Sequence, residues 1–171
     1  MSENSSLEQN LENIVEERAS DLRWTKTIYF KMASYVKMFS KLFDLVLLFT
    51  TGALTAILSQ GWLTLEGQLI LAAFATTLAL VDLVFDLDKV AYEYDKDAEM
   101  YNSLLKEFEE YYFMVLMDED CSVEQKKSKL EELTARHRNL NETTPPTWDF
   151  AYRRTTTEDL GGTMIFDETQ G

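Results

Sequence analysis

Two apolar runs stand out in an otherwise polar chain. They cover residues 42–58 (LFDLVLLFTTGALTAIL) and 67–85 (GQLILAAFATTLALVDLVF). As helices, the two runs span roughly 25–29 Å, close to the ~30 Å thickness of the hydrocarbon layer of a bilayer. The segment 59–66 between them contains Gly61, which suits a turn, and Trp62, which suits a membrane surface. This pattern predicts a two-transmembrane helical hairpin.

Helical periodicity continues on both sides of the hairpin. Apolar residues recur at helical spacing from Leu7 onwards, so one unbroken helix over about residues 7–58 is predicted. Ser6 and Gln9 have the spacing of a capping box at its start. The second run continues into a periodic polar segment without Pro or Gly, so its helix is predicted to reach about Met117.

A third helix over residues 123–140 is predicted after an acidic turn at 118–121. Ser122 and Gln125 have capping-box spacing at its start, and Pro145 and Pro146 lie beyond its end. The fold class is therefore an all-α membrane protein with long cytoplasmic helical extensions. Its predicted segments are a cytoplasmic N-terminal helix (1–41), the first transmembrane helix (42–58), an external loop (59–66), the second transmembrane helix (67–85), cytoplasmic helices (86–141) and a flexible C-terminal tail (142–171).

The charge distribution orients the hairpin. The chain has 16 Lys and Arg against 30 Asp and Glu, for a net charge of −14. Residues 42–85 contain no Lys or Arg, whereas six basic residues precede the first run and ten follow the second. Because positively charged segments stay on the cytoplasmic side, both termini are predicted to be cytoplasmic. The acidic balance also excludes non-specific binding to duplex DNA, which needs a basic surface.

Few residues with catalytic or metal-binding chemistry are present. One cysteine excludes an internal disulfide, and one histidine excludes His-pair metal motifs. Cys121 follows three acidic residues, which disfavour its thiolate. His137 lies between two arginines, and we expect it on an exposed helix end. We therefore predict a protein without a catalytic site, a metal or a cofactor.

Polar and small residues form a line on the second run, as expected for a pore wall. They recur at alternating spacings of four and three residues, which place them on one side of a helix. The first run has a weaker polar line and a small-residue pair, Gly52 and Ala56, that favours close helix contacts. The predicted pore-lining residues are Thr51, Thr55, Gln68, Ala72, Ala75, Ala79, Asp82 and Asp86.

Two spans do not enclose a pore, so this interpretation requires a symmetric homo-oligomer. Such symmetry would repeat Asp82 and Asp86 as acidic rings, which favour cations. An ordinary structural explanation stands beside it: the alanines pack the two helices of one hairpin, and Asp82 reaches the cytoplasmic surface. The acids that follow Asp86 likewise fit either a cation-attracting mouth or a solvated helix face.

Basic and aromatic residues cluster near the end of the chain, as in sites that bind a nucleotide or a single strand. Basic residues near a helix C-terminus also stabilise the helix dipole, which leaves a structural explanation open. The candidate nucleotide-binding residues are Lys126, Lys127, Arg136, Arg138, Trp148, Tyr152, Arg153 and Arg154.

The order of these segments resembles the SLATT family, the SMODS- and SLOG-associating two-transmembrane effectors. The end of the third helix, Arg136-His-Arg-Asn-Leu-Asn141, with Pro145-Pro146 and Trp148 after it, is also similar. The resemblance covers roughly residues 10–155. It implies a bacterial anti-phage effector in the inner membrane, encoded beside a nucleotidyltransferase, that opens a pore when a nucleotide signal changes. That family offers no catalytic motif to transfer.

The resemblance leaves open whether the nucleotide opens the pore or holds it closed. The expected partners are the lipid bilayer, other copies of the chain, the nucleotide and the linked nucleotidyltransferase. No segment of the sequence is predicted to form a separate sensor domain, so we expect the cytoplasmic helices or the tail to bind the signal. Two alternatives remain: a non-conducting membrane adaptor that binds a cytoplasmic protein through its long amphipathic helix, and a soluble helical bundle.

Overall fold

The computed structural model describes residues 2–60, 64–118 and 120–155, and every regular element in these ranges is a helix. The all-helical prediction is confirmed for them. The helices are α1 (Ser2–Gln60), α2 (Leu65–Phe85), α3 (Leu87–Tyr111), a π-helix (Tyr112–Leu116), α4 (Val123–Thr143) and α5 (Asp149–Arg153).

The chain divides into two compact units. We call Met1–Met32 with Asp95–Gly171 the bundle unit, and Ala33–Tyr94 the hairpin unit. In the bundle unit α3 runs antiparallel to α1. Arg23 of α1 pairs with Glu109 of α3 at 3.0 Å, whereas Lys26, further along α1, donates to Asn102, earlier in α3, at 3.1 Å. Contact positions therefore decrease along α3 as they increase along α1.

Helix α4 completes a three-helix bundle and runs parallel to α1. Lys126 near its start pairs with Glu8 near the start of α1. Asn141 near the end of α4 accepts from the hydroxyl of Tyr101 at 2.9 Å, and Tyr101 stacks on Tyr29, further along α1. The apolar stripes of the three helices meet in the core. The most completely buried large side chains of this unit are Val15, Leu22, Tyr29, Met32, Tyr101, Phe108 and Leu133.

Tyrosine hydroxyls link the helices around this core. Tyr111 donates to the carbonyl of Lys126 at 2.8 Å, and Tyr112 donates to Glu12 at 2.9 Å. Burial raises the pKa of Tyr101, Tyr111 and Tyr112 to about 12. These hydroxyls therefore remain protonated at neutral pH and act as hydrogen-bond donors between helices.

The two predicted capping boxes have opposite outcomes. At Ser122 the box is confirmed: the hydroxyl accepts from the amide of Gln125, whose side chain accepts from the amide of Ser122. At Ser6 the prediction is wrong, because α1 already begins at Ser2 and Ser6 lies inside the helix. No Pro or Gly separates Ser2 from Ser6, so nothing stops the helix from extending to the chain start.

The second long helix is interrupted, where an unbroken helix to about Met117 was predicted. Asp86 lies between α2 and α3 with φ 38° and ψ 61°, in the left-handed region. Its amide donates to the carbonyl of Asp82 at 2.9 Å, and its carboxylate accepts from the amide of Lys89 at 3.3 Å. Aspartate tolerates this conformation better than most residues. One residue therefore ends α2 and caps α3.

The last part of the chain differs from the expected tail in the portion that the structure describes. Residues 149–153 form the short helix α5, and Ala151 in it is fully buried. Tyr152 lies 6.3 Å from Trp24 between ring centres, and Lys31 donates to the carbonyl of Arg154 at 2.7 Å. Residues 156–171, and Gly61, Trp62 and Glu119 of the predicted turns, lie outside the described residues.

The helices of the hairpin unit expose apolar side chains. Helices α1 and α2 are long and apolar enough to cross a membrane, and in the most apolar 18-residue stretch of each only 6% is buried. The core helix of a soluble protein buries one face. The exposed large apolar side chains here include Leu48, Phe49, Leu69, Ile70, Phe74, Leu80, Leu83, Val84 and Phe85.

Candidate functional site

An acidic cavity lies within the hairpin unit. Its volume is about 300 Å³, and Ser40, Asp44, Asp82, Asp86 and Asp88 line it together with two leucines. The Ser40 hydroxyl donates to the carboxylate of Asp88 at 2.8 Å, which joins α1 to α3. Four carboxylates around one cavity create a negative potential that attracts cations.

The predicted pore-lining residues do not share one exposed face in the single chain. Ala75 is buried, while Gln68, Ala72 and Asp82 are partly buried and Ala79 and Asp86 are exposed. The middle of the line on α2 therefore packs within the hairpin unit, as expected when small residues let two helices approach. Both Asp82 and Asp86 reach the acidic cavity instead.

The two predicted pore-lining threonines of the first apolar run are exposed, and their hydroxyls bond to their own helix. The hydroxyls of Thr51 and Thr55 donate to the carbonyls of Leu47 and Thr51, both at 2.9 Å. A threonine whose hydroxyl is satisfied in this way is compatible with a lipid environment. Gly52 and Ala56 are also exposed, and a side chain at Gly52 would meet no atom within 4 Å. This small-residue pair is thus accessible to another chain.

Two of the candidate nucleotide-binding residues serve the bundle unit itself. Lys126 is 3% exposed and donates to Glu8 at 2.9 Å. Arg136 binds both carboxylate oxygens of Glu107, one of them at 2.8 Å from Nη2. A paired arginine or buried lysine of this kind stabilises contacts between helices, and its charge is already matched.

The remaining six candidates fall into two separate groups. Lys127 and Arg138 are exposed on α4 and line one groove against α1. Trp148, Tyr152, Arg153 and Arg154 belong to the segment around α5, where Tyr152 lies against Trp24. Because Lys126 pairs with Glu8, sixteen residues before Trp24, Lys126 and its neighbour Lys127 lie roughly 24 Å along α1 from the α5 segment. The eight candidates therefore do not form one site.

The expectation for His137 is wrong. It is buried, with 4% of its surface exposed, and its ring nitrogen lies 3.4 Å from the amide nitrogen of Asn141. Burial lowers the pKa of His137, Arg18 lowers it further, and Asp21 opposes these effects. Leu130, Leu133 and His137 follow each other at helical spacing, so the apolar stripe of α4 includes the histidine.

His137 makes the stability of the bundle unit depend on pH. At neutral pH both the folded and the unfolded histidine are uncharged. As the pH falls below about 6.5, the unfolded side chain binds a proton that the buried one resists. We expect the free energy of unfolding to fall by up to about 1.4 kcal/mol per pH unit in this window. Thermal unfolding at pH 7.5 and 5.5 measures the effect.

The variant His137→Gln is the control, because glutamine keeps a polar side chain and does not titrate. Acid-titrating carboxylates contribute equally to both proteins, so the difference between them isolates the histidine. An equal loss of stability in wild type and variant would show that His137 does not titrate as expected.

The single thiol is poorly activated, in agreement with the sequence. Burial raises the pKa of Cys121, and a hydrogen bond to Asp118 at 3.5 Å raises it further. Among residues 2–60, 64–118 and 120–155, no group of three or more His, Cys, Asp or Glu is placed to hold a metal ion.

No protein family, no curated protein and no solved structure matches the chain.

Proposed function

We propose that the chain is a two-span protein of a bacterial inner membrane, with both termini in the cytoplasm. The observation that supports this most is the 6% burial of the most apolar stretch of each long helix. Apolar surface of this extent needs lipid or another apolar partner. The lack of Lys and Arg over residues 42–85, with basic residues before and after, supports the orientation.

We further propose that several copies assemble into a cation-conducting pore. The exposed pair Gly52 and Ala56 offers a surface for close contact between copies. Asp82 and Asp86, which line the acidic cavity of each copy, would provide carboxylates for a cation path in a symmetric assembly. The resemblance described above suggests the biological role. The chain would be an anti-phage effector that depolarises the membrane and arrests growth when the nucleotide signal from a partner nucleotidyltransferase changes.

Cation flux through vesicles tests the pore. Purified chain in liposomes should release K⁺ faster than protein-free liposomes do, and Asp82→Asn with Asp86→Asn should lower the preference for K⁺ over Cl⁻ several-fold, since the neutral amides no longer attract cations. Glu124→Gln, an exposed acid at the start of α4, is the matched control and should leave selectivity unchanged.

Absence of flux from wild-type protein in liposomes, both without nucleotide and with nucleoside monophosphates added, would contradict the pore. It would favour the second candidate, a non-conducting adaptor that binds a cytoplasmic protein. One observation supports that candidate: Phe113, Met114 and Met117, in and just after the π-helix, expose large apolar side chains in the bundle unit. Apolar side chains grouped in this way are typical of surfaces that bind other proteins.

A further inference from the structure

A groove lies between the parallel helices α1 and α4 of the bundle unit. Its volume is about 470 Å³, within the ~300–1,000 Å³ typical of small-molecule sites. Its apolar side chains are Leu11 and Ile14 of α1 with Leu130 and Ala135 of α4. They provide a surface on which a flat organic group can pack.

The polar lining of the groove is basic overall, in a chain whose net charge is −14. Arg18, Lys127 and Arg138 line it against two acids, Glu17 and Glu131. Glu131 lies 3.9 Å from Lys127, so this pair is largely neutral. Among the remaining charges the two arginines outnumber Glu17, so one positive charge of the lining stays uncompensated.

Both arginines have hydrogen-bonding capacity to spare. The Nε atom of Arg18 is buried and has no hydrogen-bond partner, and the only ion pair of this side chain in the described structure is a 3.8 Å contact with Asp21. Arg138 makes no hydrogen bond or ion pair with residues 2–60, 64–118 or 120–155. The Arg18 side chain is 36% exposed and lines the groove, so a ligand there meets its exposed part and not the enclosed Nε.

The two arginines belong to the same end of the groove. Arg18 is close enough to His137, the neighbour of Arg138 in α4, to lower the pKa of that histidine. Lys127 lies eleven residues earlier in α4, roughly 16 Å away along the helix. The groove thus has one end with two arginines and a longer apolar part.

We propose that this groove binds a small water-soluble organic phosphate of the nucleotide class, with its phosphate on Arg18 and Arg138. A planar guanidinium donates two parallel hydrogen bonds to phosphate oxygens, and the negative phosphate offsets the repulsion between two such groups. The base then packs on Ile14, Leu130 and their apolar neighbours. This inference rests on the proposed function, because it names where the regulating nucleotide binds.

Binding to the full chain in detergent micelles tests the groove. The probes are the four common nucleoside monophosphates, with inorganic phosphate and the free nucleosides for comparison, and titration calorimetry measures their affinities. At least one monophosphate should bind more tightly than inorganic phosphate or the corresponding nucleoside, because the arginines and the apolar surface act together. Arg138→Gln should weaken that binding at least tenfold, as expected when a charged hydrogen bond is lost.

Matched variants separate the groove from general effects. Arg138 is exposed and unpaired in the described structure, so its replacement should not affect folding; Arg18→Gln is the second variant and should also weaken binding. Lys129→Gln, an exposed position of α4 outside the groove, should bind as wild type does. Three results would overturn the proposal. They are failure of every monophosphate to bind the chain, equal affinity of Arg138→Gln and wild type for the monophosphate, and binding of the chain to phosphatidylglycerol vesicles but to no nucleotide.

The same preparations distinguish this inference from the pore. Nucleotide binding to a chain that shows no K⁺ flux either with or without the nucleotide would contradict the pore and leave the groove intact. Flux without nucleotide binding would contradict the groove and leave the pore intact.

Discussion

Replacing Phe108 with alanine is expected to lower the free energy of unfolding of the bundle unit by about 3–5 kcal/mol. Phe108 lies on α3 with 0% of its surface exposed, among the largest fully buried side chains of the chain. Its removal takes away apolar contacts and leaves a cavity that the helices fill only in part. Because domain stabilities are typically 5–15 kcal/mol, this single change removes a large part of the total.

Chemical denaturation in detergent, followed by circular dichroism, measures this loss. Phe113→Ala is the matched control, since Phe113 follows five residues later and is 57% exposed. Its replacement should change the free energy of unfolding by less than about 0.5 kcal/mol, as is usual at exposed positions. Equal effects of the two changes would mean that the three helices do not pack around Phe108.

The helical segments were predictable because two sequence signals agree. Apolar periodicity is strong along α1, α3 and α4, and Pro and Gly are rare enough that few positions interrupt it. The Ser122 box was predictable for a similar reason, since both of its side-chain bonds are local. Local rules alone decide these features, and distant parts of the chain do not alter them.

The interruption at Asp86 depends on a rarer conformation. Most left-handed helix ends use glycine, and its absence there favoured an unbroken helix. Aspartate supplied both the tolerance for positive φ and the carboxylate that caps α3. A sequence signal existed in the two aspartates at 86 and 88, since aspartate is common at helix starts.

The roles of individual charged residues were harder to predict, because they depend on partners far away in sequence. Lys126 and His137 continue the stripe of Leu130 and Leu133 at helical spacing, which indicates burial. Their polarity and basic neighbours outweighed that signal. Composition placed Lys126 and Arg136 beside Lys127 and Arg138 as one basic cluster. In the structure Lys126 pairs with Glu8 and Arg136 pairs with Glu107. These two contacts between helices distinguish the structural residues from those that are available to bind a ligand.

Placing arginine at Phe49 and Phe74 is expected to prevent stable membrane insertion of the hairpin. Both positions lie near the middle of an apolar run, one in α1 and one in α2. An arginine at the centre of a membrane-spanning helix costs about 2.5–3.5 kcal/mol, so the double variant carries this cost on both helices. After alkaline extraction of membranes, wild-type chain should remain in the pellet, and the double variant should be lost from it.

Arginine at Met38 and Tyr92 provides the control that separates lipid from water. The four side chains are all between 53% and 70% exposed in the single chain, but Met38 and Tyr92 lie outside both apolar runs. In a soluble bundle all four positions would face water, and both double variants would be tolerated alike. In a bilayer only the Phe49 and Phe74 pair meets hydrocarbon, whereas arginines at Met38 and Tyr92, beyond the cytoplasmic ends of the apolar runs, reach the polar interface or water. Retention of both double variants in the pellet, or release of wild type from it, would therefore contradict a membrane-spanning hairpin.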